Sequence, residues 1–424
     1  MSATLSVSVT VLTLEQDLAG GAKIVGNIYP AGVEGVARRN IVFPCGAAVT
    51  PARFEVEPGH YIVSATLPSG AVLTEGVEAR EGQESTVTLD ASDAPYRTHA
   101  WQYLMGNIEP SPVYHNPYLV PAPRSVGSRY GGPPPAAEGQ PEPAPAKVTW
   151  IGDAPARSWS FESMIALIDG APGSFADRIA GSPSRVVAGP DETDGMSHLY
   201  RFGSNGPLAA PGQPHGVRQF LVVELADTAH LVTLPAPWDS AQIEVLVNAR
   251  QSPTGSAIAV TVRDQAVGAG LAYMARGALD AAAKLFTDVE SALFVDLQNP
   301  LAAAAAAYVM TGTDLADEPR HWDPWLETLR ELFGWMSDGS VLWAVRRLRR
   351  AGTPADLRAA RDGLVEAYDR GVPLYTRGLS WLMDGLSEFP DDPECASRLR
   401  RARRLSWYVD MREPFVIVNL RERP

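Results

Sequence analysis

Four kinds of side-chain grouping in this 424-residue chain could in principle do chemistry: a thiol near an imidazole, a set of imidazoles and carboxylates, a glycine-rich turn, and two clusters of arginines. A nucleophilic triad needs a Ser or Cys beside a His that a carboxylate orients. Cys45 and His60 fall within one stretch of short apolar runs, but a small thiol in such a run is far more often a core residue. No G-x-S-x-G elbow occurs, and Ser197-His198 and Ser380 stand without supporting context. Asp191, Asp194, His198, His215 and His230 have the donor chemistry for zinc or manganese. Their spacing contains no H-x-x-x-H, H-E-x-x-H or C-x-x-C, so Asp191, Glu192 and Asp194 read more simply as a solvated turn. Gly268-Ala269-Gly270 opens like a dinucleotide fingerprint, yet Tyr273 stands where the third glycine belongs. These readings predict no catalytic residues, no metal and no cofactor.

The arginines form the best physical constellation. On a helix, Trp343, Arg346, Arg347 and Arg350 occupy i, i+3, i+4 and i+7, so an indole and three guanidiniums share one face while Val341, Val345 and Leu348 turn inward. Arg398, Arg400, Arg401, Arg403 and Arg404 crowd a second helix around the apolar line Cys395, Leu399, Ala402 and Val409. Such faces either grip an anionic partner or are consumed by internal ion pairs. The residues expected to meet a partner are Trp343, Arg346, Arg347, Arg350, Arg400 and Arg404.

Charge decides which polyanions are plausible. The chain carries a net charge of −13, but residues 340–424 hold 16 Lys+Arg against 12 Asp+Glu, leaving 20 against 37 for residues 1–339. An acidic front disfavours nucleic acid and anionic membranes, which places an acidic protein ahead of either. Two distant cysteines make no disulfide framework and fit a reducing, cytoplasmic setting. Thr4 to Leu14 alternates polar and apolar residues, which reads as a strand and not a signal peptide. The longest apolar stretch, Leu301 to Met310, is far short of the roughly 20 residues that a membrane-spanning helix needs.

The elements that carry these residues follow from periodicity. The predicted fold class is multidomain α+β: an N-terminal β-sandwich (1–93), a short helix (94–108), a proline-rich linker (109–147), a second β-rich module (148–264) and an irregular α-helical bundle ending in a strand (265–424). Period-2 runs at Thr4–Leu14, Lys23–Tyr29, Asn40–Phe43, His60–Leu67, Val72–Glu78 and Ser85–Leu89, separated by turn residues, give the sandwich. Eleven prolines between Glu109 and Lys147 give an extended, protease-accessible spacer. The second module takes strands at Val148–Ile151, Ser197–Phe202, Arg218–Glu224, His230–Leu234, Gln242–Val247 and Ala257–Val262. From Gln265 the period becomes 3.6, with apolar stripes at Leu271–Val289, Trp322–Met336, Leu357–Tyr368 and Tyr375–Leu386. Thr353-Pro354 and Asp392-Pro393 each place a capping residue before a proline at the first helical position. Pro414 to Leu420 reads as a strand returning to one of the β modules.

Two resemblances accompany this reading. Pro58-Gly59-His60-Tyr61-Ile62-Val63, followed by Leu67-Pro68-Ser69-Gly70, resembles the hairpin of carboxypeptidase-regulatory-like and fibronectin-like modules, which implies a spacer or an adhesion surface. A second set of phrases comprises His99-Ala100-Trp101-Gln102-Tyr103-Leu104, Asn299-Pro300-Leu301-Ala302-Ala303, Trp325-Leu326 with Phe333-Gly334-Trp335-Met336-Ser337-Asp338-Gly339, and Arg370-Gly371-Val372-Pro373. It resembles bacterial conflict-system proteins encoded beside caspase-like or trypsin-like peptidases or MoxR/von Willebrand-type systems. That resemblance implies a partner or substrate of the peptidase in a defence system, since no peptidase is present in the chain. Read from the residues alone, Trp322, Trp325 and Trp335 are core aromatics, and Asp338-Gly339 and Arg370-Gly371 mark helix ends.

The expected function is a non-catalytic scaffold or adaptor that binds a protein partner. The alternatives are a hydrolase assembled from distant residues around 190–230, and anion or nucleic-acid binding by the arginine helices.

Overall fold

A computed structural model describes residues 2–10, 22–32, 38–46, 49–91, 102, 105, 107, 146–154, 156–170, 184–194, 197–203, 218–225, 228–236, 238, 241–248, 257–264, 267–286, 299–313 and 322–421. The chain is multidomain α+β, β-rich at the front and helical at the back. It divides into two compact units: residues 1–142 with 251–255 and 265–273, and residues 143–250 with 256–264 and 274–424. Of the short helix expected at 94–108 only Gln102, Met105 and Asn107 are described, the first two helical, and most of the proline-rich linker lies outside the described residues.

The first unit holds β1 (Ala3–Thr10), β2 (Ala22–Pro30), β3 (Arg38–Cys45), β4 (Ala52–Val56), β5 (Gly59–Thr66), β6 (Val72–Ala79) and β7 (Glu84–Asp90). They form one seven-stranded sheet ordered β4-β1-β3-β2-β5-β6, with β7 also pairing β1; β1 meets β3 where Val9 pairs with Cys45. Alternation explains the core: Leu5, Val7 and Val9 on β1 and Ile24 and Ile28 on β2 are fully buried. Phe43 of β3 and Phe54 of β4 meet edge-on, 5.8 Å between centroids. Strand β4 was not visible as a period-2 run because Pro51 and Pro58 crowd a five-residue segment whose outward residues are Arg53 and Glu55, the composition of an edge strand. The hairpin resemblance corresponds to β5 and β6, whose turn closes through Leu67 N donating to Ala71 O (2.8 Å) with Gly70 at φ +88°.

The second unit contains two sheets and the bundle. Strands β8 (Lys147–Ala154), β9 (Ser184–Val186), β12 (Arg218–Glu224), β13 (Thr228–Leu234) and β16 (Ile417–Arg421) are ordered β16-β13-β12-β8-β9. Strands β10 (Glu192–Asp194), β11 (Ser197–Phe202), β14 (Ile243–Asn248) and β15 (Ile258–Val262) form a separate sheet in that chain order. The C-terminal run therefore does return to a β region: Val418 pairs with Leu231. A helix absent from the sequence reading, α1 (Phe161–Asp169), buries Phe161, Met164 and Leu167 and is capped by Ser160, whose hydroxyl accepts from Ser163 N at 3.2 Å.

Helix α2 (Val267–Ala275) stops at Gly277, φ +79°, and α3 (Leu279–Phe286) begins after it, so the single stripe expected over Leu271–Val289 is broken by a glycine in the left-handed region. Then follow α4 (Pro300–Thr313), α5 (Asp323–Leu332), α6 (Ser337–Arg349), α7 (Pro354–Arg370), α8 (Thr376–Ser387) and α9 (Pro393–Ser406). Both expected caps form. Thr353 and Asp356 exchange side-chain-to-backbone bonds in a capping box, and Asp392 accepts from Glu394 N and Cys395 N at 2.8 and 3.0 Å. No helix among the described residues is long and apolar enough to cross a membrane.

Candidate functional site

The expected thiol–imidazole pair is not assembled. Cys45 pairs with Ala22 at one end of β2, whereas the His60 carbonyl accepts from Ala31 N beyond the other end. The intervening strand is about 30 Å long. Burial pushes the Cys45 thiol up to about 12, which keeps it protonated and inert. Of the metal-type donors, His198 lies on β11 beside Thr193 and His230 lies on β13 beside Asn419, in different sheets. Asp191 accepts from Arg201 N at 2.6 Å. His215 and the Asp194 side chain lie outside the described residues, and among those described no group of three His, Cys, Asp or Glu side chains could hold a metal ion. Gly268 and Gly270 fall in the first turns of α2, and Tyr273, where a third glycine would stand, is buried in the same helix.

The polar centre of the bundle is Asp338, in the first turn of α6. Its fully buried carboxylate accepts from Tyr308 Oη and Leu374 N, each at 2.8 Å, and from Tyr375 N at 3.3 Å, tying α4 and the α7–α8 connection to α6. Burial raises this carboxyl, against the opposing pull of the Leu374 N–H and the Arg218 charge. Gly371 caps α7 at φ +108° with its α-carbon against Trp159, and Val372 N donates to Trp159 O at 2.8 Å. Arg218 donates to Val372 O at 2.5 Å and stacks on Trp159 at 4.8 Å. Asp338-Gly339 and Arg370-Gly371, legible in the sequence as helix ends, are thus also the joints of the core.

The two arginine helices meet different fates. On α6, Arg346 is buried, its Nε donating to Asp323 Oδ1 at 2.9 Å and its guanidinium lying 4.9 Å from the Trp322 ring centroid. Arg350 reaches the other oxygen of Asp323 at 2.6 Å. Trp343 is half-buried beside Gly363 of α7, with Arg330 and Arg347 over its ring at 4.1 and 4.8 Å. Arg330 also binds Glu366, which takes Ser340 Oγ at 3.2 Å and Arg370 at 2.5 Å. Burial would raise the Glu366 carboxyl, but the Arg330 hydrogen bonds and the Arg370 charge outweigh it, and the net shift is downward. Trp343, Arg346 and Arg350 therefore work inside the bundle, and only Arg347 of that set is exposed.

On α9 the opposite face is buried. Cys395, Ala402 and Leu405 pack inward, Arg398 pairs with Asp369 at 2.9 Å, and Arg401 and Arg404 reach Glu162 and Asp169 of α1 at 3.3 and 2.5 Å. Arg400 and Arg403 are exposed and form no ion pair among the described residues. Trp407, one helical turn beyond Arg403, is 86% exposed. The sequence reading missed it, although its spacing of i+7 from Arg400 was the available signal.

Over residues 269–416, about a third of the chain, the sequence is similar to a family described as the Y4kD C-terminal domain. The match runs from within α2 to the residue before β16, so it takes in both arginine helices. No curated protein and no solved structure matches the chain.

Proposed function

We propose that this chain is a non-catalytic binding scaffold whose helical bundle engages a protein partner. One observation carries the reading. Within the bundle the charged groups at Asp323, Glu366 and Asp338 are spent on internal clamps, while the outer face of α9 presents arginines to solvent. A cytoplasmic setting belongs to the same reading, supported by two buried, unbridged cysteines. In the form the sequence resemblance suggests, the partner is a peptidase of a bacterial defence system, and the proline-rich segment at 109–147 is the stretch it cuts.

The test is co-expression of the full chain with the products of its neighbouring genes, followed by size-exclusion chromatography with light scattering. A stoichiometric complex is the expected outcome, and with a peptidase, fragments ending within 109–147. The reading fails if no neighbour binds, and a hydrolase takes its place if the purified chain carries stoichiometric zinc or manganese and turns over ester or peptide substrates.

A further inference from the structure

Resting on the scaffold reading, we propose that an acidic segment of a partner protein docks along the outer face of α9. Trp407 enters an apolar pocket of that partner, and Arg400 and Arg403 pair with its carboxylates. The three residues occupy i, i+3 and i+7, one stripe of a helix, with Arg404 beside them at i+4.

Trp407 is the first reason. Among the nine tryptophans in the described residues, five are buried and three half-buried, and Trp407 alone is exposed. An indole buries a large apolar area on docking and anchors interfaces together with arginine. Met411, four residues on, is 39% exposed and extends the apolar character past the helix end. The second reason is the unspent charge. Arg398, Arg401 and Arg404 are held by carboxylates of α7 and α1, whereas Arg400 and Arg403 have no such partner among the described residues.

Charge also selects the occupant. A duplex or an anionic bilayer brings dense negative charge against a chain whose first 339 residues carry 20 basic and 37 acidic side chains. A protein can offer a few carboxylates around a pocket and be neutral elsewhere. Two arginines with no carboxylate partner among the described residues suit that local demand and fall short of a phosphate footprint, which takes several contacts.

The test uses the full chain and a synthetic amphipathic helical peptide with a leucine stripe flanked by glutamates. Its glutamine counterpart, duplex DNA and phosphatidylserine vesicles serve as competitors. Binding of the glutamate peptide is expected to weaken at least about tenfold in Trp407→Ala. In the double variant Arg400→Glu/Arg403→Glu it is lost, and a peptide with lysines in place of the glutamates binds instead. Acrylamide quenching supplies a second readout: the fraction removed by Trp407→Phe should become shielded when the peptide binds. Stronger binding to DNA or vesicles, equal binding of the glutamine peptide, Trp407-dependent self-association, or no binding would each overturn the proposal. A gene-neighbour complex indifferent to Trp407→Ala would overturn this surface and leave the scaffold reading standing.

Discussion

Helices α6 and α9 carry the same grouping in mirror order. In α6 the tryptophan leads and three arginines follow at +3, +4 and +7; in α9 three arginines lead and the tryptophan follows at +7. In α6 Arg346 and Arg350 close on Asp323, Arg347 lies over the tryptophan ring, and the tryptophan lies against α7, so the grouping is largely structural. In α9 the first two of the four keep their charge in water, apart from any described carboxylate, and the tryptophan faces solvent. The same pattern has opposite consequences because the neighbours of α6 take up its tryptophan and two of its three arginines, leaving only Arg347 of the set exposed. Helix α6 is flanked by α4, α5, α7 and α8; α9 covers α1, α7 and α8 from one side only.

The comparison can be broken most violently at its centre. Asp338→Ala removes the acceptor of Tyr308, Leu374 and Tyr375 together, and the expected loss is about 3–5 kcal/mol, read as a fall in the urea midpoint or failure to fold. Arg346→Ala comes next. It removes the 2.9 Å contact to one oxygen of Asp323, with an expected loss of about 3 kcal/mol. A double-mutant cycle with Asp323→Ala should return a large part of that as coupling energy, since the two groups are in direct contact.

A smaller effect sharpens the contrast at the start of α9. Hydrogen bonds from Arg361, with those from Cys395 N and Glu394 N, hold the Asp392 carboxyl at about 2, below its usual 3.8. A carboxyl depressed on folding stabilises the fold fully above its unfolded value, and that contribution disappears as pH falls through the folded value. Thermal melts should therefore show stability declining from about pH 4 down to about pH 2, and Asp392→Ala should flatten this segment while lowering the melting point at pH 7. Smallest of all, Arg403→Ala and Trp407→Ala should leave the melting point where it is, because neither side chain is packed. A marked loss from either would show that α9 is as internal as α6.

Much of the fold was legible. β-strand alternation placed β1, β2, β5, β6 and β7 with small shifts of their ends, and Thr353 and Asp392 announced their helices. The elements that escaped were short and locally ambiguous. Strand β4 is hemmed by prolines, β9 and β10 span three residues each, and α1 shows its apolar stripe for barely two turns. Helix α4 was seen only as an apolar stretch, because it is buried on nearly every side and shows no polar face to set a period. Of the candidate site, Arg400 and Arg404 were legible from charge density. Trp407 was not, because its exposure depends on which face of α9 packs against α1, α7 and α8.

By itself the sequence determined the α+β order, the caps and the uneven charge, because period, capping chemistry and net charge are properties of short stretches and simple sums. Only the tertiary structure decided which arginines are spent. Asp323 lies 23 residues from Arg346 in sequence and 2.9 Å away in space, and no local pattern states that a carboxylate on one helix will meet a guanidinium on another.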